Sequence, residues 1–172
     1  MGSLEGNSVL IVVSSQGFQD EEYTAARSAL EAEGVKVAVS CKKAGPATGL
    51  KGLEVPVDVL LGDVSVNDYD ALLFVGGTET KEYREDPLVD DLSMSLFMRG
   101  THAVAIQMFQ PWAPEGGPEL STAMIATRKK PTGPPPGPKY PGGFFQDWHS
   151  PIPDTPQALG AALVTALKGE WR

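Results

Sequence analysis

The chain has 172 residues, 41% of them apolar, and a formal net charge of −8, so it can build a packed core and gives no reward to nucleic-acid phosphates. No window holds the roughly 18 to 20 successive apolar residues of a membrane span, and Met1-Gly2-Ser3-Leu4-Glu5-Gly6 lacks the charges and apolar run of a secretory leader, so one soluble, cytoplasmic domain over residues 1–172 is expected. One cysteine, Cys41, excludes an internal disulfide, and with only His102 and His149 beside it no closed Cys/His metal site can be assembled, so neither metal nor cofactor is expected.

Val9-Leu10-Ile11-Val12-Val13 is a short, β-branched apolar run, the pattern of a strand buried on both faces of a parallel sheet. After Gly17-Phe18, the acids Asp20, Glu21 and Glu22 open a helix that carries Tyr23, Ala26 and Leu30 at helical spacing and stops at Gly34. Val35 to Ser40 is a second strand, and Thr48 to Val57 alternates around Gly and Pro as an edge hairpin does. Ala71-Leu72-Leu73-Phe74-Val75 is a further buried strand, ending in Gly76-Gly77, where missing side chains let the backbone turn sharply or approach a ligand. Asp86-Pro87 starts a helix that runs to Gly100, and Ala103 to Gln107 is the next strand.

From Met108 onward, Pro111, Pro114, Gly116, Gly117 and Pro118 forbid a long helix. Ala123 to Thr127 returns to the sheet, Pro131 to Gly143 is loop, and Phe144, Phe145 and Trp148 anchor its far end. Asp154-Thr155-Pro156 begins a last helix with an apolar stripe of Leu159, Ala162, Leu163, Ala166 and Leu167, ended by Gly169. Strands alternating with helices in this way predict an α/β three-layer sandwich, a mainly parallel sheet with helices on both faces, of flavodoxin-like type.

Three stretches carry a more specific likeness. The first strand leads into Gly17-Phe18-Gln19-Asp20-Glu21-Glu22, the hairpin is followed by Asp70-Ala71-Leu72-Leu73-Phe74-Val75-Gly76-Gly77, and Gly100-Thr101-His102-Ala103-Val104-Ala105-Ile106 leads to Gln107. Together these resemble the ThiJ/PfpI (DJ-type) superfamily, of class I glutamine-amidotransferase-like fold. The resemblance implies that Glu22 occupies the family's active-site glutamate, that the backbone N–H groups of Gly77 and Met108 form an oxyanion-type hole, and that a homodimer forms. It also implies a cysteine at position 107, where this chain has Gln107. Val75 likewise stands where proline is usual, and residues 108–121 and 131–150 read as remodelled loops.

An amide cannot replace a thiolate, because its nitrogen lone pair is delocalised. Cysteine-based protease, deglycase or glyoxalase chemistry is therefore not expected. Cys41 ends the second strand with no base placed beside it by the sequence, and reads as a small buried hydrophobe. A redox-sensor role for it is the third and last reading. What the resemblance retains is a pocket at the carboxyl ends of the strands, lined by Glu22, Gly76, Gly77, Gln107 and Met108, with Phe109, Trp112 and Trp148 as an apolar wall.

Glu22 could then move a proton if burial favours its neutral form, and His149 could swing toward it from its loop. Asp20 and Glu21 read as negative charge complementing a helix start, and His102, at the start of its strand, lies away from the pocket. Two functions follow. One is a cysteine-independent enzyme acting on a small carbonyl-containing metabolite by isomerisation, hydration, elimination or cyclisation, and the other a non-catalytic small-molecule or partner-binding protein. No GxGxxG, Walker A, GxSxG or HExxH pattern supports nucleotide, serine-hydrolase or metalloprotease chemistry.

Overall fold

Apolar strands need both faces covered, and the chain supplies helices for each side. The computed structural model describes residues 2–99, 102–107, 122–127 and 155–169. Strands β1 (Ser8–Val12), β3 (Lys36–Cys41), β6 (Val59–Leu60), β7 (Ala71–Phe74), β8 (His102–Gln107) and β9 (Thr122–Thr127) form one sheet in the order β6-β3-β1-β7-β9-β8. A smaller sheet joins β2 (Gln16–Phe18) to the hairpin of β4 (Ala47–Gly49) and β5 (Glu54–Val55). Helices are α1 (Asp20–Ala32), the short α2 (Lys81–Arg84), α3 (Pro87–Arg99) and α4 (Pro156–Lys168).

The period of two along β1 sorts its side chains between two cores. Val9 and Ile11, fully buried, join Val39 and Leu73 under Ala26 and Leu30 of α1 and Leu159, Leu163 and Ala166 of α4. Leu10 and Val12 point the other way, with Leu72 and Phe74, onto Tyr83, Val89 and Leu96. Helices thus cover both faces, as the strand–helix alternation predicts.

The helix ends follow the expected chemistry. The Thr155 hydroxyl accepts the Ala158 N–H at 3.1 Å with Pro156 in the first turn, and Gly169 closes α4 at φ 71°, a left-handed conformation that costs glycine nothing. Asp86 accepts the Leu88 N–H at 3.1 Å at the start of α3, and this bond, with Lys42 3.2 Å away, holds its carboxyl below the usual aspartate range.

One strand departs from a simple parallel sheet. β9 runs antiparallel between β7 and β8, with Phe74 opposite Thr122 and Thr122 opposite Gln107. The segment Ala123 to Thr127 does return to the sheet, but as the partner that separates β8 from β7. β2, α2 and β6 also escaped the sequence reading, because elements of two to four residues carry no periodicity.

Helices α1 and α4 approach closely at Gly160, where an added Cβ would lie 2.9 Å from both the Ala25 carbonyl oxygen and the Ala29 methyl. Gly160→Val should destabilise the fold by about 1–3 kcal/mol through overpacking, measured by urea unfolding, despite its better helix propensity. Ser40 is fully buried and its hydroxyl makes no hydrogen bond among the described residues. Removing an unsatisfied hydroxyl relieves its desolvation cost, so Ser40→Ala should unfold at the same or a higher urea midpoint, by up to about 1 kcal/mol.

Candidate active site

The carboxyl ends of the parallel strands β1, β3 and β7 share one edge of the sheet, the place where open α/β sheets bind ligands. Two chain segments cross there. The Gln19 N–H donates to the Gly76 carbonyl at 2.9 Å, and the Thr78 N–H donates to the Gly17 carbonyl at 3.0 Å, on either side of a Phe18–Gly77 bridge.

This crossing explains the glycines. A Cβ on Gly77 would sit 2.1 Å from the Gly17 carbonyl oxygen and 2.7 Å from the Phe18 Cα, and one on Gly17, at φ 77°, would sit 2.4 Å from the Thr78 hydroxyl. The sequence left a sharp turn or approach to a ligand open for the glycine pair; what the fold adds at Gly77 is close approach of backbone to backbone. The Gly77 N–H makes no hydrogen bond among the described residues.

Glu22 follows this crossing in the first turn of α1 and is 2% exposed. Its neighbour Asp20 has a different task. One Asp20 carboxylate oxygen accepts the Lys51 N–H and the other the Leu53 N–H, both at 2.9 Å, so the residue clamps the hairpin to the helix start, and Gly49 leaves the space for it. Glu21 pairs with the Lys51 ammonium at the surface. Charge complementing the helix dipole is therefore only part of the reason for Asp20. Asp20→Ala should cost about 1–3 kcal/mol by orphaning two backbone donors, and amide exchange should localise the loss to Lys51 and Leu53.

Gln107 ends β8 at the same carboxyl edge, but one strand further out than a direct β7 neighbour. Two strand spacings, about 10 Å, separate its backbone from that of Phe74. His102 starts β8 and lies at the opposite edge. Met108, Phe109, Trp112, Trp148 and His149 lie outside the described residues, so the expected apolar wall and second proton carrier belong to the sequence reading alone.

Cys41 is fully buried, as expected of a small hydrophobe, and burial pushes its thiol up. The expectation that no base stands beside it is corrected by the fold. The Cys41 S–H points at the Glu82 carboxylate, Sγ to Oε1 3.7 Å, and the other carboxylate oxygen accepts the Ser15 N–H at 3.0 Å and the Ser15 hydroxyl at 2.5 Å. Sequence reasoning missed Glu82, since an acid in a four-residue helix carries no signal; its position five residues beyond Gly77 was the available hint.

A separate groove of about 560 Å3 runs between Asp20, Thr24 and Ser28 on the outside of α1, Leu53 of the hairpin and Gln157 of α4. Glu22 does not line it. Among the described residues no cluster of three or more His, Cys, Asp or Glu side chains could hold a metal, and no helix is long and apolar enough to cross a membrane.

A three-layer α/β sandwich in which a glycine crossing at the strand edge leads into a helix with a buried glutamate in its first turn defines a recognisable class, and comparison with known proteins agrees. Residues 7–133 match the DJ-1/PfpI family model, and the chain belongs to that family. It is 33% identical over 81 residues to an uncharacterised protein of Methanocaldococcus jannaschii, a match covering 47% of this chain and 40% of that one. It is 28% identical over 97 residues to a protein of Pyrococcus abyssi named as a deglycase, covering 56% of this chain and 58% of the relative.

Among solved structures, a ThiJ/PfpI domain protein from Brachyspira murdochii superposes with a TM-score of 0.51 at 35% identity, over 55% of this chain and 54% of the other. The chain spans about half the length of the relatives it matches. Its only cysteine ends β3, whereas β8 ends in Gln107.

Proposed function

We propose that this chain is a cysteine-independent enzyme acting on a small carbonyl-containing metabolite, with Glu22 as general acid and base. The observation that carries the reading is a carboxyl only 2% exposed, set by the segment that is pinned to Gly76 and Gly77. A buried carboxyl in the helix turn that follows the segment crossing Gly77, whose N–H makes no hydrogen bond among the described residues, is suited to moving a proton α to a carbonyl whose oxygen takes the Gly77 hydrogen bond. Isomerisation, hydration, elimination and cyclisation each need such a proton transfer and no sulfur nucleophile.

In this reading Gln107 offers its amide to the same oxygen or to a neighbouring one, Met108 supplies a second backbone donor, and His149 is the second proton carrier. Phe109, Trp112 and Trp148 close the apolar side of the pocket. The deglycase name carried by the Pyrococcus abyssi relative does not transfer, because this chain has Gln107 where the family resemblance calls for cysteine. Location in the cytoplasm and pairing into a homodimer complete the proposal, and sedimentation at micromolar concentration tests the pairing.

A second reading keeps the pocket and drops the chemistry. It is favoured by the same Gln107, since loss of the nucleophile alone turns an enzyme of this family into a binder of small molecules or of a protein partner.

The test is a thermal-shift screen with 2-oxo acids, hydroxyaldehydes and hydroxyketones, followed by NMR of the mixtures over time. The enzyme reading expects a compound that raises Tm and is converted, with conversion falling about 100-fold or more in Glu22→Gln at unchanged Tm. Conversion that survives intact in Glu22→Gln removes Glu22 from the mechanism. A compound that raises Tm without being converted selects the binding reading.

A further inference from the structure

The carboxylate of Glu82 gathers three donors from two strand ends. From the segment after β1 come the Ser15 N–H at 3.0 Å and the Ser15 hydroxyl at 2.5 Å; from the end of β3 comes the Cys41 thiol at 3.7 Å. Hydrogen bonds to a charged acceptor are about twice as strong as neutral ones, and this acceptor is half-buried. Glu82 sits on α2, whose neighbouring Tyr83 hydroxyl donates to the Val75 carbonyl at 2.8 Å, immediately before the glycine pair. Ser15 in turn precedes Gly17 by two residues, on the segment that leads to Glu22.

The Glu82 contact therefore closes a loop. β7 runs into Gly76-Gly77, then into α2; β1 runs into Ser15, then Gly17-Phe18, then Glu22. The backbone crossing fixes these two segments to each other at one point, and Glu82 fixes them at a second, on the side nearer β3. At the same corner the Lys42–Asp86 ion pair at 3.2 Å joins the residue after β3 to the residue before α3. Two points of attachment define an angle as well as a distance, which a single crossing cannot.

We propose that Glu82 is a positioning residue for the candidate active site, holding the Gly76–Gly77 backbone at a fixed orientation to Glu22, with the Cys41 thiol serving as one of its donors. This rests on the reading of Glu22 as the proton carrier. Orientation of a proton carrier against an oxygen-binding N–H is worth far more to catalysis than the contact is to stability.

The experiment uses the full chain and needs no substrate. In Glu82→Ala, the Gln19 and Thr78 amides, which make the crossing, should exchange with deuterium about tenfold faster or more, while Leu10 and Leu72 in the core keep their rates. Cys41 is the only thiol in the sequence, so its alkylation by iodoacetamide reports opening of the same corner and should accelerate similarly. Glu82→Gln, which keeps one acceptor oxygen, should recover part of both effects. Ser15→Ala leaves every charge in place, and in it the titration midpoint of the Glu22 carboxyl, followed by carbon NMR, should move by about half a unit or more.

Unchanged exchange and alkylation in Glu82→Ala overturn the proposal. Faster exchange with an unmoved Glu22 midpoint in Ser15→Ala makes Glu82 a structural tie only, and overturns it too. If Glu82→Ala does not fold, Ser15→Ala gives both readouts. Neither result depends on conversion by wild type against Glu22→Gln, so failure of the positioning role and failure of the Glu22 reading are told apart.

Discussion

The candidate site rests on one crossing of backbone on backbone. Where Gly17-Phe18 passes Gly76-Gly77, two hydrogen bonds close at 2.9 and 3.0 Å and no side chain fits between the strands of chain. A methyl group at Gly77 would have to occupy the position of a carbonyl oxygen, which no rotamer change can vacate. The start of α1 and the exit from β7 are thereby placed relative to each other before any ligand is considered.

Around the crossing the acids divide by what they touch. Asp20 accepts two hairpin N–H groups, Glu21 meets a lysine at the surface, Glu82 gathers Ser15 and Cys41, and Glu22 is buried in the same first turn as the other two α1 acids. Three consecutive acids that look alike in sequence thus have separate surroundings, decided by the rotation of about 100° between neighbours on a helix. A buried thiol beside a carboxylate is the opposite of an activated one, since both burial and the nearby negative charge favour the protonated form. Cys41 is accordingly read as a packing residue and a weak donor.

Much of the fold was legible in the sequence because its signals are long and mutually consistent. The apolar runs of β1 and β7, the Asp86-Pro87 and Thr155-Pro156 helix starts, and the glycine stops at Gly34 and Gly169 each report a physical requirement that few residues satisfy. The parts that were not legible are short or depend on partners distant in sequence. Nothing local tells β9 to enter the sheet antiparallel between β7 and β8, since Thr122 to Thr127 is equally apolar in either direction. The Asp20 clamp and the Glu82 contact join residues 31 to 67 positions apart, and single-sequence periodicity has no reach at that range.

At the opposite edge of the sheet the polar ties serve the scaffold. Asp70 accepts the Ser8 N–H at 2.9 Å and the Asn7 amide at 3.3 Å, and Glu33 receives Lys168 at 3.2 Å and the Ser3 hydroxyl at 2.6 Å. These bonds bind the beginnings of β1 and β7 to each other and the far ends of α1 and α4 to each other. The molecule therefore separates its obligations by height: the amino edge keeps the layers in register, which leaves the side chains of the carboxyl edge free of that task.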